Sequence, residues 1–224
     1  MTFSIVARCP RTRRFAVAVS SSFPAAAAHG AFVRAGIGAV ATQHLTDPSL
    51  GAKALDLLAQ GMLPLAVLAE LRKTVPQVEY RQLILIDRTG NTAGFSGKEV
   101  WGVSGMARGT DVVSAGSMLA NAQVPEMMAK AFEAMPHADL GDRIVAAMEA
   151  GLDTGGEAGA LRSAGLLIVD KESWAVADLR IDWHDNPIGE LAALWRLWRQ
   201  QQDAFITRAL DPASVPRHDA PEDE

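Results

Sequence analysis

The sequence predicts an α+β fold in which antiparallel sheets are covered by layers of helices. Short apolar runs occur in adjacent pairs separated by turn residues, and two pairs of helical patterns separate these runs. Parallel strands would need a single crossover helix between each strand and the next. The order of the patterns therefore argues against a doubly wound parallel sheet.

The chain begins with two predicted strands. Residues 3–7 and 15–19 are apolar runs, and the polar segment CPRTRR lies between them. This pattern is typical of two antiparallel strands joined by a tight connection. The first strand would then begin one residue after Met1, although chain ends are usually loose unless a sheet holds them. An anchored end of this kind suggests a functional role.

The following section predicts a buried strand and two helices. Residues 36–43 read GIGAVATQ, which is typical of a buried strand. A helix with a leucine- and alanine-rich face is expected to begin near Ser49 and to end at Gly61. Pro64 suits the first turn of a second helix.

Strands and helices alternate again in the rest of the chain. A hairpin is predicted where residues 83–87 and 92–96 flank the turn RTGN, and a second where 166–169 and 174–177 flank DKES. Further strands and helices are expected in this part. The strands are predicted at 100–103 and 112–115, and the helices at 124–135, at 140–150 and from Pro187 onward.

We expect a single domain over residues 1–210 and a disordered acidic tail over 211–224, where Pro, Asp and Glu dominate. Trp195 and Trp198 lie on the apolar face of the last predicted helix. Two interpretations remain open for them. The side chains either cover the domain or form a homodimer contact.

Composition narrows the classes of function. The formal net charge is −5, and basic residues are not clustered, so neither nucleic acid nor a membrane is an expected partner. Cys9 is the single cysteine, and the first residues lack the pattern of a secretory signal. A cytoplasmic location is therefore expected. The five histidines do not follow a zinc-binding pattern, so we predict neither a metal nor a cofactor.

Several segments together resemble the domain-of-unknown-function family 1028 (DUF1028), which is grouped with the N-terminal-nucleophile hydrolases. The resemblance covers about residues 1–170 and implies a four-layer sandwich of two antiparallel sheets between helical layers. The segments that carry it are MTFSIVAR at 1–8, GIGAVATQ at 36–43, TDPSLGAKALDLLAQG at 46–61, EYRQLILID at 79–87 and RSAGLLIV at 162–169.

The resemblance implies that Thr2 is a catalytic nucleophile once Met1 has been removed. A threonine hydroxyl needs a nearby base, and a free α-amine with a pKa of about 7.7–8.0 supplies one on the same residue. The expected activity is hydrolysis of an amide bond in a small-molecule substrate. The alternative is a catalytically silent member that binds a metabolite or serves in an assembly.

Two further residues are assigned on the superfamily pattern. Arg34 lies 32 positions after Thr2, near where related proteins carry a lysine, and its charge would lower the pKa of neighbouring groups. Otherwise it is a solvent-facing arginine before a turn. Ser22 belongs to a serine run at a position expected to form a pocket wall, although a turn of small residues explains the run equally well.

The remaining candidates would bind substrate or an oxyanion. Gln43 ends the predicted strand 36–43 and His44 follows it, and backbone N–H groups there could face an oxyanion, although His44 also suits an ordinary loop position. Asp47 either contacts substrate or caps the next helix. Glu79 and Arg81 either line the pocket or pair with each other on one face of a strand.

Overall fold

Two antiparallel sheets form the centre of the structure, a computed structural model in which residues 2–214 are described. In this range the larger sheet has the strand order β10-β9-β2-β1-β8-β7 and the smaller has the order β3-β4-β5-β6. The strands are β1 (Thr2–Arg8), β2 (Phe15–Ser21), β3 (Ala31–Arg34), β4 (Gly38–His44), β5 (Arg81–Asp87), β6 (Thr92–Ser96), β7 (Ser104–Gly109), β8 (Val112–Ser117), β9 (Ser163–Val169) and β10 (Ala175–Ile181).

Helices cover the outer face of each sheet. The helices are α1 (Ala26–Gly30), α2 (Ser49–Ala59), α3 (Pro64–Thr74), α4 (Val124–Glu133), α5 (Leu140–Asp153) and α6 (Pro187–Leu210), and a 3-10 turn spans Val78–Tyr80. Helices α4, α5 and α6 pack on the larger sheet, and α2 and α3 pack on the smaller one. The expected four-layer sandwich of two antiparallel sheets is thus confirmed.

Three apolar clusters hold the four layers together, because successive side chains of a strand point to opposite faces. On β1, Phe3 and Ile5 pack under α4 and α5, whereas Val6 faces the smaller sheet. On β5, Ile84 faces the larger sheet and Leu85 packs against α2 and α3. Each large side chain buried in this way contributes about 1.5–3 kcal/mol to folding.

The strand predicted at 100–103 is wrong. Residues 101–103 are exposed, the chain bends at Gly102, whose φ is +69°, and the strand begins only at Ser104. The prediction gave no elements between residues 20 and 35, where α1 and β3 lie. This alanine-rich segment has neither a helical nor a strand-like apolar period, so its pattern carried no signal.

The tryptophans of α6 pack within their own chain. Trp195 is 2% exposed and donates from Nε1 to Asp142 Oδ1 at 2.8 Å. Trp198 donates from Nε1 to the Val176 carbonyl oxygen at 2.9 Å. The packing interpretation therefore describes both side chains. Self-association through α6 stays a prediction, and Trp198 remains half-buried.

The segment after α6 was expected to be a disordered tail. Its first part contains a 3-10 turn over Pro212–Ser214, and residues 215–224 lie outside the described range. Among the helices described, none combines the length and the hydropathy needed to cross a bilayer.

Candidate active site

Polar side chains gather between the two sheets at one end of the sandwich. They lie on the strand faces that point toward the other sheet, and further along the strands the same faces carry the apolar cluster between the sheets. All are buried, with at most 7% of the residue exposed. Thr2 pairs in register with one strand neighbour on each side. The set comprises Thr2 on β1, Ser21 on β2, Ser117 on β8, Gln43 on β4 and Gln82 on β5.

A cleft of about 590 Å³ opens at this end. Thr2 and Gln43 contribute to its wall from opposite sheets. The segment after β4 forms part of the entrance side with exposed residues. Such a volume suits a small molecule. The lining residues are Thr2, Val19, Ser21, Phe23, Pro24, Ala26, His29, Gly30, Thr42, Gln43, His44, Leu45, Thr46, Pro48 and Arg81.

Thr2 is held on both sides by the larger sheet. It begins β1, which lies between β2 and β8, and it pairs with Ser21 and Ser117. Thr2 Oγ1 donates a hydrogen bond to Ser21 Oγ at 3.2 Å, and Ser21 Oγ also accepts one from the Phe23 N–H at 3.2 Å. The hydroxyl that the sequence assigns as the nucleophile therefore lies in the cleft wall rather than on a loose chain end.

The side-chain amides of Gln43 and Gln82 have a defined orientation. Gln82 Nε2 donates to the Gly116 carbonyl oxygen at 3.1 Å and to Ser96 Oγ at 2.7 Å, so Gln82 Oε1 must accept. Gln43 Nε2 donates to that oxygen at 2.5 Å. Gln43 Oε1 is consequently left as a buried acceptor without a partner among residues 2–214.

His44 lines the cleft, but both of its ring nitrogens are used within the chain. Nδ1 lies 2.9 Å from the Tyr80 carbonyl oxygen, which can only accept, so Nδ1 carries the proton. Nε2 then accepts the Trp101 N–H at 3.1 Å. The imidazole also meets the Trp101 ring edge to face at 5.0 Å. The side chain of His44 thus anchors the segment before β7 beside the cleft.

The structure does not bring Arg34 or Asp47 into the cleft lining. Arg34 lies at the end of β3, opposite Gly38 at the far end of β4 from Gln43, and its guanidinium contacts Asp56 at 2.9 Å. Arg34 thus matches the surface interpretation, and its position does not support an effect on the pKa of groups near Thr2. Asp47 Oδ1 accepts the Ser49 N–H at 3.0 Å, which is the capping alternative for α2.

The side chains of Glu79 and Arg81 do not contact each other. Glu79 accepts the Lys98 N–H at 3.1 Å and lies 3.7 Å from Arg72, outside the cleft lining. The alternative of a Glu79–Arg81 pair is therefore wrong. Arg81 does line the cleft, and the described chain offers it no ion pair. Of the two residues, only Arg81 has the position expected of a substrate contact.

Glu157 is a residue that the sequence analysis missed. Strand β8 pairs with β1 as far as Ser117 opposite Thr2, and just beyond it Leu119 pairs with Glu157 in an isolated antiparallel bridge. The backbone N–H of Ser22 lies 3.0 and 3.2 Å from the two oxygens of the Glu157 carboxylate. Glu157 therefore stands in line with β1, at the end where Thr2 lies, and Ser22 serves to hold it.

Burial dominates the electrostatics of Glu157. The residue is 5% exposed, and burial raises the pKa of its carboxyl group although hydrogen bonds from Ser22 oppose the rise. A carboxylate in such a place gains from a cationic partner. The sequence carried no signal for it, because Glu157 lies in the glycine-rich segment TGGEAG with no periodic pattern.

The architecture and the cleft define a class of protein, a four-layer α+β sandwich whose first strand places a hydroxyl between the sheets. The chain belongs to the DUF1028 family, because the model of this "Family of unknown function (DUF1028)" matches residues 2–191. The resemblance to DUF1028 that the sequence shows is thereby confirmed. No curated protein matches the chain.

A solved structure agrees with this membership. Protein SPO2555 from Silicibacter pomeroyi, itself a DUF1028 protein, is 28% identical, and the match covers 88% of each chain with a TM-score of 0.81. Anbu (ancestral beta-subunit) from Yersinia bercovieri is 11% identical, and the match covers 97% of this chain and 100% of Anbu with a TM-score of 0.43. We infer nothing from the second similarity.

Proposed function

We propose that this protein hydrolyses an amide bond of a small molecule, with Thr2 as the nucleophile after removal of Met1. The observation that carries the proposal is the position of Thr2, whose hydroxyl group lies in the wall of a cleft of about 590 Å³. Strand pairing on both sides keeps it there, which is the preorganisation that nucleophilic catalysis needs.

The reaction follows from the two groups of Thr2. Its hydroxyl oxygen attacks the amide carbon while the free α-amine accepts the hydroxyl proton. The tetrahedral intermediate collapses when the α-ammonium gives that proton to the leaving nitrogen, and an ester to Thr2 remains. Water, deprotonated by the same amine, then attacks the ester. The products are a carboxylic acid and an amine, and Thr2 is restored.

The end of β4 is our candidate for the oxyanion donors. Strand β3 pairs with β4 only from Gly38 to Ala41, so the described strands leave Gln43 and His44 without a neighbour on that side. Successive N–H groups of a strand alternate in direction, so one of the two points to this side. A backbone donor there would stabilise negative charge on the substrate oxygen.

Glu157 would orient the base. Once Thr2 carries a free ammonium group, the buried Glu157 carboxylate at the end of β1 would serve as its partner. An opposite charge at short range favours the charged form, so Glu157 would raise the pKa of the amine. The same contact would fix the direction of the nitrogen relative to Thr2 Oγ1.

Replacing Glu157 with glutamine therefore tests the assignment through a pH profile. Without the carboxylate, the pKa of the α-amine falls, and the acidic limb of kcat/KM should move to lower pH by about one unit. The exposed Glu99 provides the control, and Glu99→Gln should leave the limb in place. A limb that stays unchanged in Glu157→Gln contradicts the role given to this carboxylate.

The proposed function itself is tested with Met1-cleaved protein and a panel of amide and ureido metabolites. Intact-mass measurement first establishes that Met1 is absent, and a form with an N-terminal extension serves as the control. We expect turnover and covalent labelling of Thr2 by an electrophile only in the cleaved form. Equal turnover by the extended form, or Met1 retained in the native host, contradicts the proposal. Binding without turnover supports the catalytically silent alternative.

A further inference from the structure

Arg81 differs from the other arginines that are at least partly buried. Residues 2–214 contain five arginines that are not exposed, and four of them contact a carboxylate or a backbone carbonyl oxygen, namely Arg8, Arg14, Arg143 and Arg162. Arg81 has no such contact, and its Nε atom is buried without a partner in this range. The exception is the one arginine among them that lines the cleft of Thr2.

An unpaired guanidinium group in this position favours an anionic ligand. Arginine stays protonated at any physiological pH, and a partly desolvated charge without a partner is costly. None of the described lining residues is an aspartate, a glutamate or a lysine. The planar fork of N–H donors matches a carboxylate, which it can bind through two parallel hydrogen bonds.

Gln43 adds a second requirement to the ligand. Its Nε2 is committed to Gln82, so its buried Oε1 can only accept a hydrogen bond. A buried acceptor is costly when it is left unsatisfied. A ligand N–H group would satisfy it, and an amide nitrogen that carries a hydrogen supplies one. Apolar side chains also line the cleft, among them Val19, Phe23 and Ala26.

We propose that the cleft binds a small carboxylic acid with a secondary amide, such as an N-acylated amino acid, with Arg81 on the carboxylate and Gln43 Oε1 on the amide N–H. This substrate class rests on the proposed function for the bond that is cleaved, but the recognition of the acid does not require turnover. Arg81 acts in binding and specificity, and Thr2 remains the reacting residue.

The test measures binding to a variant that cannot react. Met1-cleaved Thr2→Ala protein is titrated with N-acetyl derivatives of the common amino acids and with the matching carboxamides, which differ only in the acid group. We expect at least one acid to bind about tenfold more tightly than its carboxamide. Adding Arg81→Gln should reduce that preference to less than about threefold, and Arg81→Lys should retain part of it because the charge remains.

Arg88→Gln in the same background is the matched control, because the exposed Arg88 follows the other end of β5 and loses the same charge. It should keep the full preference, and thermal unfolding checks that each variant is folded. The proposal is overturned if no acid in the panel is preferred over its carboxamide, or if the Arg81→Gln protein keeps the preference. If the protein that retains Thr2 prefers the acid but does not hydrolyse it, only the proposed hydrolysis is overturned.

Discussion

Thr2→Ala is expected to lower kcat/KM for the amide substrate by at least about 10³-fold, because removing a nucleophile leaves only binding and oxyanion stabilisation. Alanine is small enough for Met1 to be removed, so the free α-amine is kept and only the hydroxyl group is lost. The buried position of the side chain in the cleft wall leaves little room for solvent to replace it. The measurement is steady-state hydrolysis by protein of verified mass.

Thr2→Ser serves as the matched control, since it keeps both the hydroxyl group and the amine. We expect it to retain activity to within about tenfold, as only one methyl group is lost. Both variants should unfold at similar denaturant concentrations. Hydrolysis by Thr2→Ala at the rate of the unchanged protein would exclude Thr2 as the nucleophile.

Trp195→Ala is expected to lower the free energy of unfolding by about 3–5 kcal/mol, the usual cost of removing a large aromatic side chain from a core. Trp195 is 2% exposed and fills the space above Gly141, whose missing Cβ would lie 2.1 Å from the Trp195 ring. Its Nε1 donor also satisfies Asp142. Urea unfolding with a common slope measures the change.

Leu197→Ala provides the comparison on the same helix. Leu197 is 61% exposed, so its loss should change the free energy of unfolding by no more than about 0.5 kcal/mol. A loss below about 1 kcal/mol for Trp195→Ala would show that α6 is not a required part of the larger core.

Much of the architecture follows from local patterns. The hairpin of β5 and β6 was predictable because apolar runs flank a turn, and the first two strands were predictable for the same reason. The strand β7 was misplaced because Val100 and Val103 are apolar, although Val103 lies in an exposed bend. Helix α1 and β3 were missed because the alanine-rich segment that forms them shows neither a helical nor a strand-like apolar period.

The site depends more on contacts between distant parts of the chain. The resemblance pointed to Thr2, the end of a predicted strand pointed to Gln43, and a polar cluster just before an apolar strand pointed to Arg81. The orientation of Gln43 could not be predicted, because it is set by Gln82, 39 residues away in sequence. Glu157 was equally hidden, since only strand pairing across the larger sheet places it near β1.

Because β1 lies in the middle of the larger sheet, the position of Thr2 and the shape of the cleft entrance can change independently. Opening the sheet around Thr2 would cost much of the stability of the fold, so the Thr2 hydroxyl group shares the rigidity of the core. The segment after β4, with Leu45 and Thr46, borders the same cleft and is exposed. Substitutions in this segment can therefore change which ligands the cleft admits while the position of Thr2 stays unaltered.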